Sequence, residues 1–183
     1  MVYVFLAPGF EEGEAIVPID LLIRAGISVT TVGIGADRVI SGAHGISVTA
    51  DRSENDLASL PTDAEMILLP GGMPGTKNLD ASPFVHECIR TAVERNLPMA
   101  AICAAPSVYG KLGLLRGKKA TCFPGFEDML LGAEVTGMGV AIDENVITAR
   151  ALGSANEFAF AIIERLKDAE TAQRVRESIY FKP

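Results

Sequence analysis

The sequence predicts an α/β fold in which a mostly parallel sheet is covered by helices on both faces. Three observations predict it. Apolar runs at Val2–Ala7, Met66–Leu69 and Pro98–Ile102 show little polar alternation, the mark of strands buried on both sides. Segments with helical apolar spacing alternate with these runs. The runs end on Pro8-Gly9-Phe10-Glu11-Glu12, Pro70-Gly71-Gly72 and Cys103. Such strand ends are where open parallel sheets bind their ligands.

The elements follow in order. Val2–Ala7 is the first strand. Ile16, Ile19, Leu22 and Ile23 recur at helical spacing, and Gly26 stops that helix. Ile27–Gly33 is the second strand. Val39-Ile40 and Ile46–Thr49 flank a Gly-rich turn and form a small hairpin. Met66–Leu69 is the third core strand. Pro83 opens a helix that runs to about Asn96, a use of proline that suits the first helical turn. Pro98–Ile102 is a strand and Ala104 to about Leu115 a helix. Val135–Thr148 supplies short strands around a turn at Asp143-Glu144-Asn145. Ser154–Lys167 is the last long amphipathic helix. No repeat or linker interrupts the pattern, so residues 1–183 read as a single domain.

Composition narrows the class. Hydrophobic residues make up 49% of the 183 positions. Counted with the 18 glycines and without Tyr, the apolar share is roughly 57%, above the usual level of about 45–50%. A doubly covered sheet, an oligomer interface, or both would account for the excess. No uncharged apolar run is long enough for a membrane span, and no basic leader precedes the first strand. The formal net charge is −7, with the acidic residues scattered and no Lys/Arg block, so nucleic-acid binding has little electrostatic support. The three cysteines, Cys88, Cys103 and Cys122, are odd in number and lack C-x-x-C spacing. That argues against a disulfide framework and a zinc site, and for a reducing cytoplasm.

The most informative stretch is Ala100-Ala101-Ile102-Cys103-Ala104-Ala105-Pro106. A buried strand ends at Cys103 and a helix begins at once, with small residues on both sides. This is the logic of a nucleophile elbow, whose strained turn lifts a side chain above the sheet. Unpaired backbone N–H groups and the helix dipole there would favour thiolate over thiol. An inert buried cysteine at a helix start is the competing reading. Cys88, inside an amphipathic helix, and Cys122, beside Phe123-Pro124, read as structural.

Gly71-Gly72 permits a backbone approach that Cβ atoms would block. Their N–H groups, with that of Ala104, would suit an oxyanion hole, although a Gly-Gly pair alone can be a plain turn. Glu14 follows a strand end and the pair Glu11-Glu12. Pro18 cannot donate to the Glu14 carbonyl, so the helix is expected to start late or kink there, leaving Glu14 on irregular backbone near the strand ends. A carboxyl close to a thiolate would be pushed towards protonation and would shuttle a proton; alone, it reads equally as a solvated surface charge. Of the two histidines, His86 reads as solvent-facing and inert, and His44 lies in the hairpin turn Ser41-Gly42-Ala43-His44-Gly45. Neither follows the cysteine, so no Cys–His pair is built into the elbow. No dinucleotide or P-loop glycine motif occurs.

Leu6-Ala7-Pro8-Gly9-Phe10-Glu11-Glu12-Gly13-Glu14, Leu69-Pro70-Gly71-Gly72 and the cysteine segment together resemble the ThiJ/PfpI superfamily. Within it the chain is most similar to the branch of the Parkinsonism-associated protein deglycase and bacterial YajL-like proteins. The resemblance spans nearly the whole chain. It implies a flavodoxin-like three-layer sandwich, usually homodimeric, with neither metal nor organic cofactor. It implies Cys103 as nucleophile, Glu14 as its protonated hydrogen-bond partner, and Gly71, Gly72 and Ala104 as backbone donors. The activity implied is glutathione-independent conversion of methylglyoxal or glyoxal to hydroxy acids, or repair of glyoxal-modified amino acids. Other members act as oxidation sensors or chaperones.

The sequence also departs from the family. Protease-like members carry His directly after the cysteine, where this chain has Ala104, which disfavours peptidase activity. The His-x-Glu pair of class I glutamine amidotransferases is absent. Phe123 stands where the most similar branch often has a His, which removes a second proton carrier. His44 stands where Arg is common, in a loop that approaches the partner's site in family dimers. The resemblance therefore implies a cross-subunit position for His44, against the reading of an exposed turn residue.

Overall fold

The structure is a computed structural model that describes residues 1–35 and 37–182. Its main sheet is built from β1 (Val2–Leu6), β2 (Val29–Gly33), β5 (Arg52–Ser53), β6 (Met66–Leu69), β7 (Met99–Ile102), β10 (Val140–Asp143) and β11 (Val146–Ala149). The strand order is β10-β11-β7-β6-β1-β2-β5. All neighbours run parallel except the edge pair β10–β11. The hairpin β3 (Val39–Ser41) with β4 (Ser47–Thr49), and the small parallel pair β8 (Lys119–Ala120) with β9 (Glu134–Val135), lie outside it.

Alternation along each central strand divides the core in two. Val2, Val4 and Leu6 of β1, Met66 and Leu68 of β6, and Ala100 and Ile102 of β7 face one layer. That layer holds α1 (Glu12–Arg24), α5 (Ala155–Leu166) and α6 (Ala169–Ser178). Tyr3, Phe5, Ile67, Leu69, Met99 and Ala101 face the other. There they meet α3 (Pro83–Glu94) and α4 (Pro106–Lys111), with α2 (Gly75–Ala81) beside them. The central strands are apolar at every position because both faces are covered, as the continuous runs predict. This is the expected three-layer α/β sandwich. Among the described residues, no helix is long and apolar enough to cross a membrane.

Differences from the sequence reading are local. The helix expected from Ala104 to Leu115 is only Pro106–Lys111, because Cys103 to Ala105 are spent on the turn that precedes it. Ser154–Lys167 does not end the helical pattern. α6 follows, capped by the Asp168 carboxylate accepting from the Thr171 amide at 2.7 Å. It buries only Thr171, Ala172 and Val175, too narrow a stripe to read as amphipathic. α2 carries just three buried residues and was equally unreadable. His86 is half-buried rather than solvent-facing. It lines a cavity of about 240 Å³ with Ile89, Val93, Leu112 and Leu114, and its Nε2 lies 3.8 Å from Asp80.

Candidate active site

The sheet delivers Cys103 to its carboxyl edge. β7 ends at Ile102, and Cys103 takes φ +65°, a left-handed conformation that a side chain enters at a cost of about 1–3 kcal/mol. Both of its backbone groups are tied down. The Cys103 amide donates to the Ala149 carbonyl at 2.9 Å, and its carbonyl accepts from the Phe123 amide at 2.8 Å. Below the turn, the wholly buried Tyr109 donates its hydroxyl to the Ala100 carbonyl at 3.2 Å, bracing α4 against β7. This is the strained elbow that the small-residue pattern predicts.

Gly71 occupies the space between the candidate groups. A Cβ there would stand 2.5 Å from the Cys103 Cβ, 2.5 Å from Glu14 Oε2 and 2.9 Å from the Ile102 carbonyl. Only glycine lets the strand end pass between the cysteine and the carboxylate. Gly72 has φ +94°, and a Cβ on it would meet the backbone of Gly9, Phe10 and Glu11. The Gly71 carbonyl accepts from the Glu11 amide at 2.9 Å, which locks the β6 end to the entry of α1. The amides of Gly72 and Ala104 are hydrogen-bonding neighbours of the Cys103 sulfur.

Glu14 reaches this point differently from the sequence reading. α1 begins at Glu12 and runs through Pro18 to Arg24, so its start is not late. The missing Pro18 N–H falls opposite the Glu14 carbonyl in the first turn, where the loss is borne by one bond only. Glu14 thus projects from a regular helix, and its side chain is buried at 2% exposure. Its Oε2 has no well-formed hydrogen bond within the chain. The Cys103 thiol and the amides of Gly71 and Leu152 are the polar groups acting on its carboxyl.

The electrostatics couple the two side chains. Burial pushes Glu14 up to about 7, helped by the nearby charge of Glu11 and opposed by its hydrogen bonds. Burial, then the Glu14 charge and hydrogen bond, push the Cys103 thiol up to about 12 against the amides of Gly72 and Ala104. The expected bias of the elbow towards thiolate is therefore overturned for the resting pair, because desolvation and an adjacent carboxylate outweigh two backbone donors. A thiolate beside Glu14 is favoured only when Glu14 carries the proton. With the thiol up at about 12 the proton rests on sulfur, and Glu14, up at about 7, is poised near neutrality to accept it.

His44 is anchored within its own chain. The buried Glu12 carboxylate accepts from the amides of His44 (2.8 Å) and Ile46 (3.3 Å), and its Oε2 lies 2.8 Å from His44 Nδ1. Glu11 Oε2 stands 3.3 Å from the same nitrogen. Burial opposes ionisation of Glu12, but the His44 side chain and the surrounding amides prevail and hold it down to about 2. The hydrogen bond to Glu12 raises the His44 pKa. Glu11, Glu12 and His44 bring one ligand atom each within 4.8 Å of one another, the one such group among the described residues. Glu12 already accepts from three N–H donors, so the group works as a clamp between hairpin and helix. The sequence reading missed it because His44 is 32 positions from Glu12. Cys88 and Cys122 are buried, with Cys88 inside the α3 core.

The family model for the DJ-1/PfpI family matches residues 1–165. The chain is 35% identical over 182 residues to the Parkinson disease protein 7 homolog of Danio rerio, covering 98% of this chain and 96% of that protein. It is 33% identical over 162 residues to the glutathione-independent glyoxalase DJR-1.2 of Caenorhabditis elegans, covering 87% and 84%. The solved structure of oxidized Toxoplasma gondii DJ-1 superposes with a TM-score of 0.94 at 30% identity, covering 100% of this chain and 98% of that one. A doubly covered parallel sheet, a cysteine on a strained strand-to-helix turn and a match along nearly the whole length lead to one assignment: the chain belongs to the DJ-1/PfpI family.

Proposed function

We propose that the protein is a cysteine-dependent, glutathione-independent enzyme acting on small α-oxoaldehydes. The observation that carries this reading is the placement of Cys103 and the buried Glu14 against opposite sides of Gly71, where each shifts the ionisation of the other. The similarity to a nematode glyoxalase adds support.

In this mechanism the Cys103 thiol passes its proton to the Glu14 carboxylate as substrate arrives. The Cys103 sulfur forms a bond to the aldehyde carbon, and the aldehyde oxygen becomes an alkoxide facing the amides of Gly72 and Ala104, while the Gly71 amide, expected as a third donor, serves the Glu14 carboxyl instead. Glu14 gives its proton to that oxygen, which yields a hemithioacetal. The Glu14 carboxylate then removes the hydrogen of the former aldehyde carbon as a proton, generating an enediolate, and the hydroxyl proton of that carbon passes to the neighbouring oxygen. Glu14 returns a proton to the neighbouring carbon, leaving a 2-hydroxy thioester on Cys103. Water cleaves the thioester, releasing the hydroxy acid and restoring the thiol. The sum is oxoaldehyde plus water to hydroxy acid, with no external oxidant or reductant, metal or organic cofactor.

The active form in this reading is a homodimer in the cytoplasm. Exposed Ile16 and Ile23 of α1, with Val39 and Ile46 of the hairpin, supply apolar surface for a second copy. His44, on that hairpin, would stand close to the partner's site. Three free cysteines suit a reducing compartment.

The competing reading is a redox sensor or chaperone-like protein. It draws on the partial exposure of Cys103, against the full burial of Cys88 and Cys122, and on the amides of Gly72 and Ala104, which would hold the oxygens of an oxidised Cys103. Steady-state formation of lactate from methylglyoxal by the purified protein separates the two. Catalytic turnover supports the enzyme; stoichiometric modification without turnover supports the sensor.

A further inference from the structure

Three loops touch the Cys103–Glu14 pair, and each carries a large apolar side chain with much of its surface in solvent. Phe123, 42% exposed, donates its amide to the Cys103 carbonyl. Leu152, 48% exposed, has its amide acting on the Glu14 carboxyl, and its side chain lies where a Cβ on Gly13 would be only 2.5 Å from it. Met73, 41% exposed, follows Gly72, whose amide neighbours the sulfur.

These side chains are not consumed by the fold. They come from separate segments, after β6, after β8 and after β11, whose backbones meet at the pair. The Glu11 charge already acts on the buried Glu14, so an anionic substituent on the substrate would add a further like charge there, while Glu12 is paired with His44. A small methyl group would leave the apolar rim wet, whereas a ring or branched chain would cover it and be stabilised by aromatic contact.

We propose that Phe123 is the specificity-determining residue of the site, and that the enzyme selects α-oxoaldehydes bearing an aryl or branched apolar group over methylglyoxal. The inference rests on the oxoaldehyde activity proposed above and names its substrate class. Phe123 supplies the flat apolar wall against the substituent, and Leu152 and Met73 bound it from the other two loops. The reaction is unchanged: phenylglyoxal plus water gives mandelate, as methylglyoxal plus water gives lactate.

The test compares wild type, Phe123→Ala and Phe123→Leu in two assays. In the first, kcat/KM is measured for phenylglyoxal and methylglyoxal by product chromatography. Wild type is expected to favour phenylglyoxal by about tenfold, the discrimination an apolar wall typically provides. Phe123→Ala loses that preference, with the ratio of the two kcat/KM values falling about tenfold whatever the absolute rates, and Phe123→Leu falls between. In the second, alkylation of Cys103 by N-phenyl iodoacetamide and by iodoacetamide is followed by peptide mapping, which requires no turnover. The aryl reagent is expected to react faster in wild type, with the advantage lost in Phe123→Ala. A parallel fall for both aldehydes, a change in sedimenting mass with no change in selectivity, or an alkylation ratio indifferent to the ring overturns the role of Phe123. Absent turnover of both aldehydes with ring-dependent alkylation intact refutes the oxoaldehyde activity and leaves the aryl-selective wall standing.

Discussion

Gly71→Ala probes the geometry of the site with a single carbon. The new Cβ would sit 2.5 Å from the Cys103 Cβ and from Glu14 Oε2, whereas ordinary contacts begin at 3.4 Å. The pair must therefore open by about 1 Å, or the β6 end must retreat by as much, within a close-packed environment. A misplacement of about 1 Å between reacting groups costs on the order of 100-fold in rate. Overpacking costs about 1–3 kcal/mol, and at this chain length that lowers Tm by about 2–12 °C. Gly110→Ala in α4 serves as a matched control, because its Cβ would crowd the backbone of Met129 and Leu130 and neither Cys103 nor Glu14. Thermal melting and kcat/KM for methylglyoxal are the assays. The control should lose stability with the folded protein still active, while Gly71→Ala should lose both. An active Gly71→Ala variant with unchanged Tm would refute the claim that the strand end is wedged between the two groups.

Glu14→Gln should slow turnover by about 100- to 10,000-fold with little change in fold, since the amide keeps its shape but cannot carry a proton. The same variant reads the linkage. Glu14 binds its proton more tightly in the folded state, so wild type should lose stability relative to Glu14→Gln as pH rises from about 4.5 to about 7. Glu12, held down to about 2, has the opposite sign, with stability lost as pH falls below about 4.5 towards that value. Mild peroxide should convert Cys103 to the sulfinate before the buried Cys88 and Cys122, as peptide mapping would show; earlier oxidation of either buried thiol contradicts the site. Light scattering should report twice the chain mass, and His44→Ala should alter turnover without unfolding. A monomer at micromolar concentration removes both expectations, and a dimer with normal kinetics removes only the His44 role.

The sheet was legible because its central strands β1, β6 and β7 are apolar at every position, the pattern of strands covered on both faces. Cys103 was legible because small residues flank it on both sides, and the backbone there does adopt φ +65°. The position of Glu14 was legible only through the resemblance, since Pro18 suggested broken backbone where a regular first turn exists. The electrostatic balance was not legible. Local sequence displays the two amides that favour a thiolate but not the burial that opposes it. The Glu12–His44 clamp and the apolar rim of Phe123, Leu152 and Met73 join segments distant in sequence, and no local periodicity connects them.

The central claim is that Cys103 forms the bond to an oxoaldehyde that is then turned over. It is tested most directly by lactate formation from methylglyoxal at neutral pH without glutathione, comparing wild type with Cys103→Ala, Cys88→Ala and Cys122→Ala. The account predicts steady turnover proportional to enzyme in wild type and in the Cys88 and Cys122 variants, and only the spontaneous rate in a folded Cys103→Ala. Turnover retained by Cys103→Ala, or absent from wild type, would contradict it.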